Sequence, residues 1–327
     1  MPDLLSDPNA IISALFSLPL FSFVIATIVT VVITRVRRSD RSLMPLTYSR
    51  ELKMLGAVAV AVVVIFAIEN IVRGYLLCLV GMCLVDVVDW WRYPLPLLAA
   101  ALGLGVVLVS IMTTGTRTPE EPMLPTSRRT WATFGPRRGL VVAGVTLVGL
   151  AATTVAAGLA SSSDENGRFI YLELVAPNTT LEPVRPWFYG WSYGVPVLVS
   201  VALLGLVTLG LLSRNAARPY LRADTVASEQ GARTTVAAAA VHVATAAALL
   251  ALAGALRFIA RAGNLSSVAV GNSEPYEIVW RYAALASAAG WVAPLLEVAG
   301  FTLLLFVGVR SARAVARPER VAEAASP

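Results

Sequence analysis

Charge is scarce in this sequence, and the residues that most often carry catalysis or hold metals are scarcer still. Of its 327 residues, 14% are charged and 57% hydrophobic, whereas a soluble globular chain is about a quarter charged. There is one histidine (His242), one lysine (Lys53) and two cysteines (Cys78 and Cys83). A single histidine with no HExxH and no Cys-x-x-Cys leaves no pattern for a zinc site. On a helix the two cysteines point about 140° apart, so free thiols are expected rather than a disulfide. No Walker A loop or kinase signature is present, and Gly103-x-Gly105 lies inside an apolar stretch with no phosphate-binding context. Gly190-Trp191-Ser192-Tyr193-Gly194 matches the nucleophile-elbow pattern of serine hydrolases. Its serine needs a base, and the lone histidine belongs to another stretch at a membrane depth on the order of 15 Å away. A serine hydrolase is therefore not expected, and nothing in these patterns calls for a cofactor.

What is abundant is apolar sequence in long blocks, with a mean hydropathy of +0.73. Seven stretches, near 11-34, 53-72, 95-112, 139-160, 196-213, 235-256 and 292-309, are long enough or nearly so to cross a hydrocarbon core of about 30 Å. The expected fold is an all-α polytopic membrane protein with seven transmembrane helices. An eighth apolar stretch, Tyr75 to Val88, is shorter, and basic charge decides its status. With seven spans, the loops on one side carry 19 of the 26 basic residues and the other side carries 7. If 75-88 also crossed, the split would be 12 against 14. Arginine and lysine gather in cytoplasmic loops, so seven spans are expected, with the N-terminus outside and the C-terminus inside. Segment 75-88 is then a re-entrant or surface-packed helix on the outer side. The net charge of +6 becomes an orientation signal, and nucleic acid need not be a partner. Met1 to Ala10 carries no basic residue, so the first helix is not expected to be a cleavable signal peptide. Abundant arginine and alanine beside one lysine suggest a GC-rich bacterial genome, and hence a multi-pass protein of a bacterial inner membrane.

After the first helix the chain reads as three hairpins, with candidate repeats at 47-118, 131-217 and 230-313 of one membrane domain. Each outer loop ends with an aromatic pair: Trp91 and Tyr93, Trp191 and Tyr193, Trp280 and Tyr282. Each returning helix has a proline near its start, at Pro96, Pro196 and Pro294, although in the third copy the aromatic pair lies further upstream. Interfacial gathering of tryptophan and tyrosine accounts for the aromatics without common ancestry. The sixth span holds 11 alanines between Val236 and Leu256, and its small side chains place it inside the bundle.

Few polar groups remain as candidates. Glu297 is acidic within an apolar stretch; with the seventh helix starting near Pro294 it sits about one turn below the outer interface. There it is expected to pair with Arg257 or Arg281 and pin the last hairpin. The alternative is a ligand or proton site open to the outside, and a helix running continuously from Tyr282 would carry Glu297 near the bilayer centre and favour a functional role. His242 is expected to bond between helices, with a proton-relay role as the alternative. Glu69 and Arg73 form an i, i+4 pair. Together with Asp86, Asp89 and Arg92 they make a charged outer crest, expected as a solvated rim, with a shallow pocket for a lipid headgroup or a peptide beside Tyr and Trp as the alternative. The leading expectation is a non-enzymatic membrane subunit of a transport or export system, in the lipid bilayer with a protein partner at its membrane face or cytoplasmic loops. The alternatives are an outer-face sensor or ligand-binding protein and an intramembrane enzyme acting on lipid-linked substrates.

Overall fold

A computed structural model of the chain describes residues 19–36, 43–44, 46–70, 72, 88–114, 129–174, 183–220, 225–265, 267–268, 276–278 and 280–316. The start of the first expected span, Arg73, and segment 75-88 up to residue 87, with Cys78, Cys83 and Asp86, lie outside the described residues.

Apolar periodicity resolves into seven long helices: α1 (Pro19–Val36), α2 (Leu46–Ala67), α3 (Leu95–Thr114), α4 (Arg137–Ala160), α5 (Trp191–Ala217), α6 (Val226–Gly263) and α7 (Ala283–Arg313). All seven are long and apolar enough to cross a bilayer, and the protein is an all-α polytopic membrane protein. Strand structure among the described residues is limited to short pairings at the helix ends. β1 (Leu43–Met44) runs parallel to β6 (Val315–Ala316), tying the α1–α2 connection to the segment after α7. The antiparallel pairs β2 (Ser162–Ser163) with β3 (Phe169–Tyr171), and β4 (Ser267–Val268) with β5 (Tyr276–Glu277), lie at the opposite end. We call these the arginine-rich end and the aromatic end.

Four helices start well before the spans expected from hydropathy. α2 starts at Leu46 rather than near 53, α5 begins five residues before Pro196, α6 starts at Val226 rather than near 235, and α7 starts at Ala283 rather than near 292. Pro196 and Pro294 therefore lie inside helices, which membrane helices tolerate because neighbouring groups satisfy the freed backbone. At 1.5 Å per residue, the 38 residues of α6 extend for about 57 Å, well beyond the hydrocarbon core.

α6 is the axis of the bundle. It packs against α2, α3, α4, α5 and α7, and 83% of its apolar window is buried, against 17% to 39% in the other six. Lipid is as apolar as leucine, so burial inside a membrane is driven by close packing, and alanine permits the closest approach. α7 runs antiparallel along it, with Gly290 against Ala260 and Gly300 against Ala246 and Leu250. The outer helices turn aliphatic ridges outward at i, i+4 spacing, such as Val24, Ile28 and Val32 on α1 and Val141 and Val145 on α4. Among the described residues α6 contributes no large exposed apolar side chain.

Candidate functional site

The most deeply placed charges form one pair. Arg257 of α6 donates from Nε to Glu297 Oε1 at 2.5 Å and from Nη2 to Oε2 at 2.7 Å, a bidentate bridge between antiparallel helices. Ser22 of α1 adds a third donor, its Oγ lying 2.8 Å from Oε2. Glu297 is 1% exposed, so this network locks α1, α6 and α7 at one level. Arg281, the other partner foreseen for Glu297, lies instead over the Tyr282 ring.

That level is deeper than a helix start near Pro294 implies. The first residues of α4 sit beside Val241, where Gly139 faces its side chain, and its last turns reach Leu256 and Ile259. Midway between lies Leu250, which faces Gly300, less than one turn from Glu297. Glu297 is therefore close to the mid-depth of α4. The shallow placement fails because α7 is one continuous helix from Ala283, carrying Glu297 at its fifteenth position.

α2 ends in a wide π turn over residues 68 to 70, and α3 starts only at Leu95. Arg92 reaches back from Nε to Asn70 Oδ1 at 3.3 Å, and the Arg92 backbone N–H bonds the Asp89 carbonyl. Glu69, at the end of α2, is nearly buried rather than a solvated rim charge. Arg261 lies within electrostatic reach of Arg92, Arg257, Tyr93 and Glu297. Tyr93 and Tyr193 meet at 5.5 Å between centroids, and both contact Tyr189 and Phe258, giving a four-ring cluster. Burial pushes the Tyr93 hydroxyl up to about 12 and moves Tyr189 the same way, so both stay neutral at ordinary pH.

The three aromatic pairs share a position that the proline register conceals: each sits at the start of the returning helix. Trp91 and Tyr93 occupy the turn before α3, Trp191 and Tyr193 the first turn of α5, and Trp280 and Tyr282 the residues just before α7. Each of the last two tryptophans covers a glycine of the outgoing helix, Trp191 on Gly158 and Trp280 on Gly263. The extra spacing in the third hairpin is thus helix inserted between pair and proline. His242 packs its ring against Phe306 of α7 at 6.2 Å between centroids.

The arginine-rich end holds a second network, built around residues that fall between the spans expected at 196-213 and 235-256. Arg233 is 0% exposed. It donates from Nε to Tyr48 Oη at 3.0 Å, from Nη1 to the Arg218 carbonyl at 2.8 Å, and from Nη2 to the Pro219 carbonyl at 2.8 Å and Glu229 Oε2 at 3.3 Å. Glu51 of α2, itself 1% exposed, takes a bidentate bridge from Arg218. Tyr220 lies between two guanidinium groups, with Arg129 at 4.1 Å and Arg233 at 4.3 Å from its centroid. This knot ties α2, the end of α5, the start of α6 and the approach to α4. The signal for it is Glu229–Arg233, an i, i+4 pair after Thr225, whose Oγ1 donates to Glu229. It marks a helix start one residue after Thr225, where hydropathy places only loop.

No group of three or more metal-ligating side chains occurs among the described residues. Comparison with known proteins gives no match, whether by family, by curated relative or by solved structure.

Proposed function

We propose that the chain is a non-enzymatic integral membrane subunit of a transport or export assembly in a bacterial inner membrane. One observation carries this reading. The bundle axis, where a lone transporter would need a polar path or an intramembrane enzyme a polar cavity, is filled by the alanine-packed α6. The charged groups around it are engaged in holding helices together, at Glu297 with Arg257 and at Arg233 with its four acceptors. Exposed cations remain at the arginine-rich end, including Arg50, Lys53, Arg137, Arg138 and Arg214, and they suit an acidic protein partner. Crosslinking in native membranes, followed by pull-down of the full chain in mild detergent, tests the reading. A partner recovered in fixed stoichiometry is the expected result, and a chain recovered as a lone monomer from crosslinked membranes overturns it.

A further inference from the structure

A groove at the aromatic end, between α4 and α7, is separate from both networks. Its volume is about 580 Å³, within the range of about 300–1,000 Å³ common for small-molecule sites. Leu256 and Ile259 of α6 form its floor, and alanines of α4 and α7 leave the space between its walls. Leu159 and Leu285 on its lips are 75% and 67% exposed, so it opens sideways on the face of the bundle that meets lipid.

Two independent features at one end of this apolar groove favour an anion. Arg281 lines it, is exposed, and among the described residues makes no ion pair; its guanidinium rests 4.6 Å from the Tyr282 ring centroid. Beside it, α7 begins with no side-chain cap and no acidic residue in its first turn, so α7 itself supplies no group to offset the positive end of its dipole. Trp280 and Tyr282 line the same end, and such amphipathic rings settle at headgroup level. An apolar slot open to the hydrocarbon region, with a cation and two aromatics at headgroup level, has the polarity pattern of a phospholipid.

We infer that this groove holds one acyl chain of an anionic phospholipid, with the phosphate against Arg281 and the first turn of α7. This inference goes beyond the subunit reading and does not depend on it.

Native mass spectrometry of the full chain, equilibrated with equal amounts of dioleoyl phosphatidylglycerol and dioleoyl phosphatidylcholine, tests it. The wild type is expected to retain one phosphatidylglycerol with about fivefold preference, the scale of one arginine near a charged membrane surface. Arg281→Gln should bring the preference close to one without changing thermal stability. Ala156→Trp, at an exposed position on the α4 wall, should reduce retention of both lipids by filling the groove. Equal retention of the two lipids by the wild type overturns the proposal, as does wild-type retention in either variant. Loss of a copurifying protein from Ala156→Trp with lipid retention unchanged would assign the groove to a partner helix and equally overturn it. A pull-down that recovers no partner would sink the subunit reading and leave these lipid ratios untouched.

Discussion

A charge buried in a bundle is costly unless its partners satisfy it, and the two most buried networks here differ in how many partners they need. Glu297 depends chiefly on Arg257, with Ser22 assisting. Removing one member leaves an uncompensated charge, so Glu297→Gln or Arg257→Met should each destabilise the protein by about 3–5 kcal/mol. The double variant should recover most of that loss, because a neutral pair of similar volume leaves no buried charge uncompensated. Thermal unfolding in detergent reads the cycle, and simple additivity of the two single changes would mean that the pair is uncoupled. Arg233 behaves differently because it serves four acceptors, on α2, on the segment just after α5 and on its own helix. Arg233→Lys is therefore expected to lose nearly as much stability as Arg233→Met, since an ammonium keeps the charge but cannot reproduce the planar fork. Full rescue by lysine would show that only charge matters there. Glu297 was legible in the sequence because it stands alone among apolar residues, and Arg257 was legible as a partner by depth. Arg233 was not: it sits just before the apolar run of α6, where hydropathy does not distinguish buried helix from solvated loop.

Helix starts and close contacts dominate at the scale of elements. Gly190, just before α5, has ordinary extended backbone, but a Cβ there would lie 2.1 Å from the Phe169 carbonyl oxygen and 2.7 Å from Ser161 Cβ. Gly190→Ala must therefore separate β3 from the start of α5, at a cost of about 1–3 kcal/mol. Hydrogen exchange should rise in Phe169–Tyr171 while the core of α6 stays protected. Gly300 is less severe, since its Cβ would meet Leu250 and the Ala246 carbonyl oxygen at 3.1 and 3.2 Å. The β2–β3 turn adds a pH dependence. Partial desolvation of Asp164 opposes its charge, but the backbone N–H of Arg168, its guanidinium and the Asn166 N–H outweigh this and hold the carboxyl below its usual value. The folded value is depressed, so the stabilisation is complete above the usual aspartate value of about 3.9 and is lost as pH falls through the lower folded one. Exchange in residues 162–171 should accelerate across that acidic window in the wild type and show no such step in Asp164→Asn. The aromatic pairs were legible as a recurring feature, and so was the central place of the alanine-rich span. Their meaning as helix starts was hidden, because proline looked like the marker of the first turn and in α5 and α7 it lies inside the helix.

Seven crossings give the whole molecule opposite ends, and the distribution of its arginines is a prediction about which end faces which compartment. The 19-to-7 split of basic residues survives the finding that Arg218 and Arg233 are buried, because both are buried at the arginine-rich end, beside the exposed Arg137, Arg138 and Arg214. Topology is set by arginine and lysine near the ends of spans as the chain inserts, before tertiary burial, so residues that later become structural still count. The arginine-rich end is thus expected in the cytoplasm and the tyrosine cluster and lipid groove outside. This can be measured with single cysteines in a background carrying Cys78→Ser and Cys83→Ser. Glu165→Cys, in the exposed β2–β3 turn, should react with a membrane-impermeant maleimide in intact cells. Arg138→Cys, exposed at the start of α4, should react only after lysis. The reverse pattern would invert the protein and place the groove in the inner leaflet, where anionic lipid is also available. Labelling of both positions from outside would contradict the single pass of α4 between them, and with it the seven-span arrangement itself.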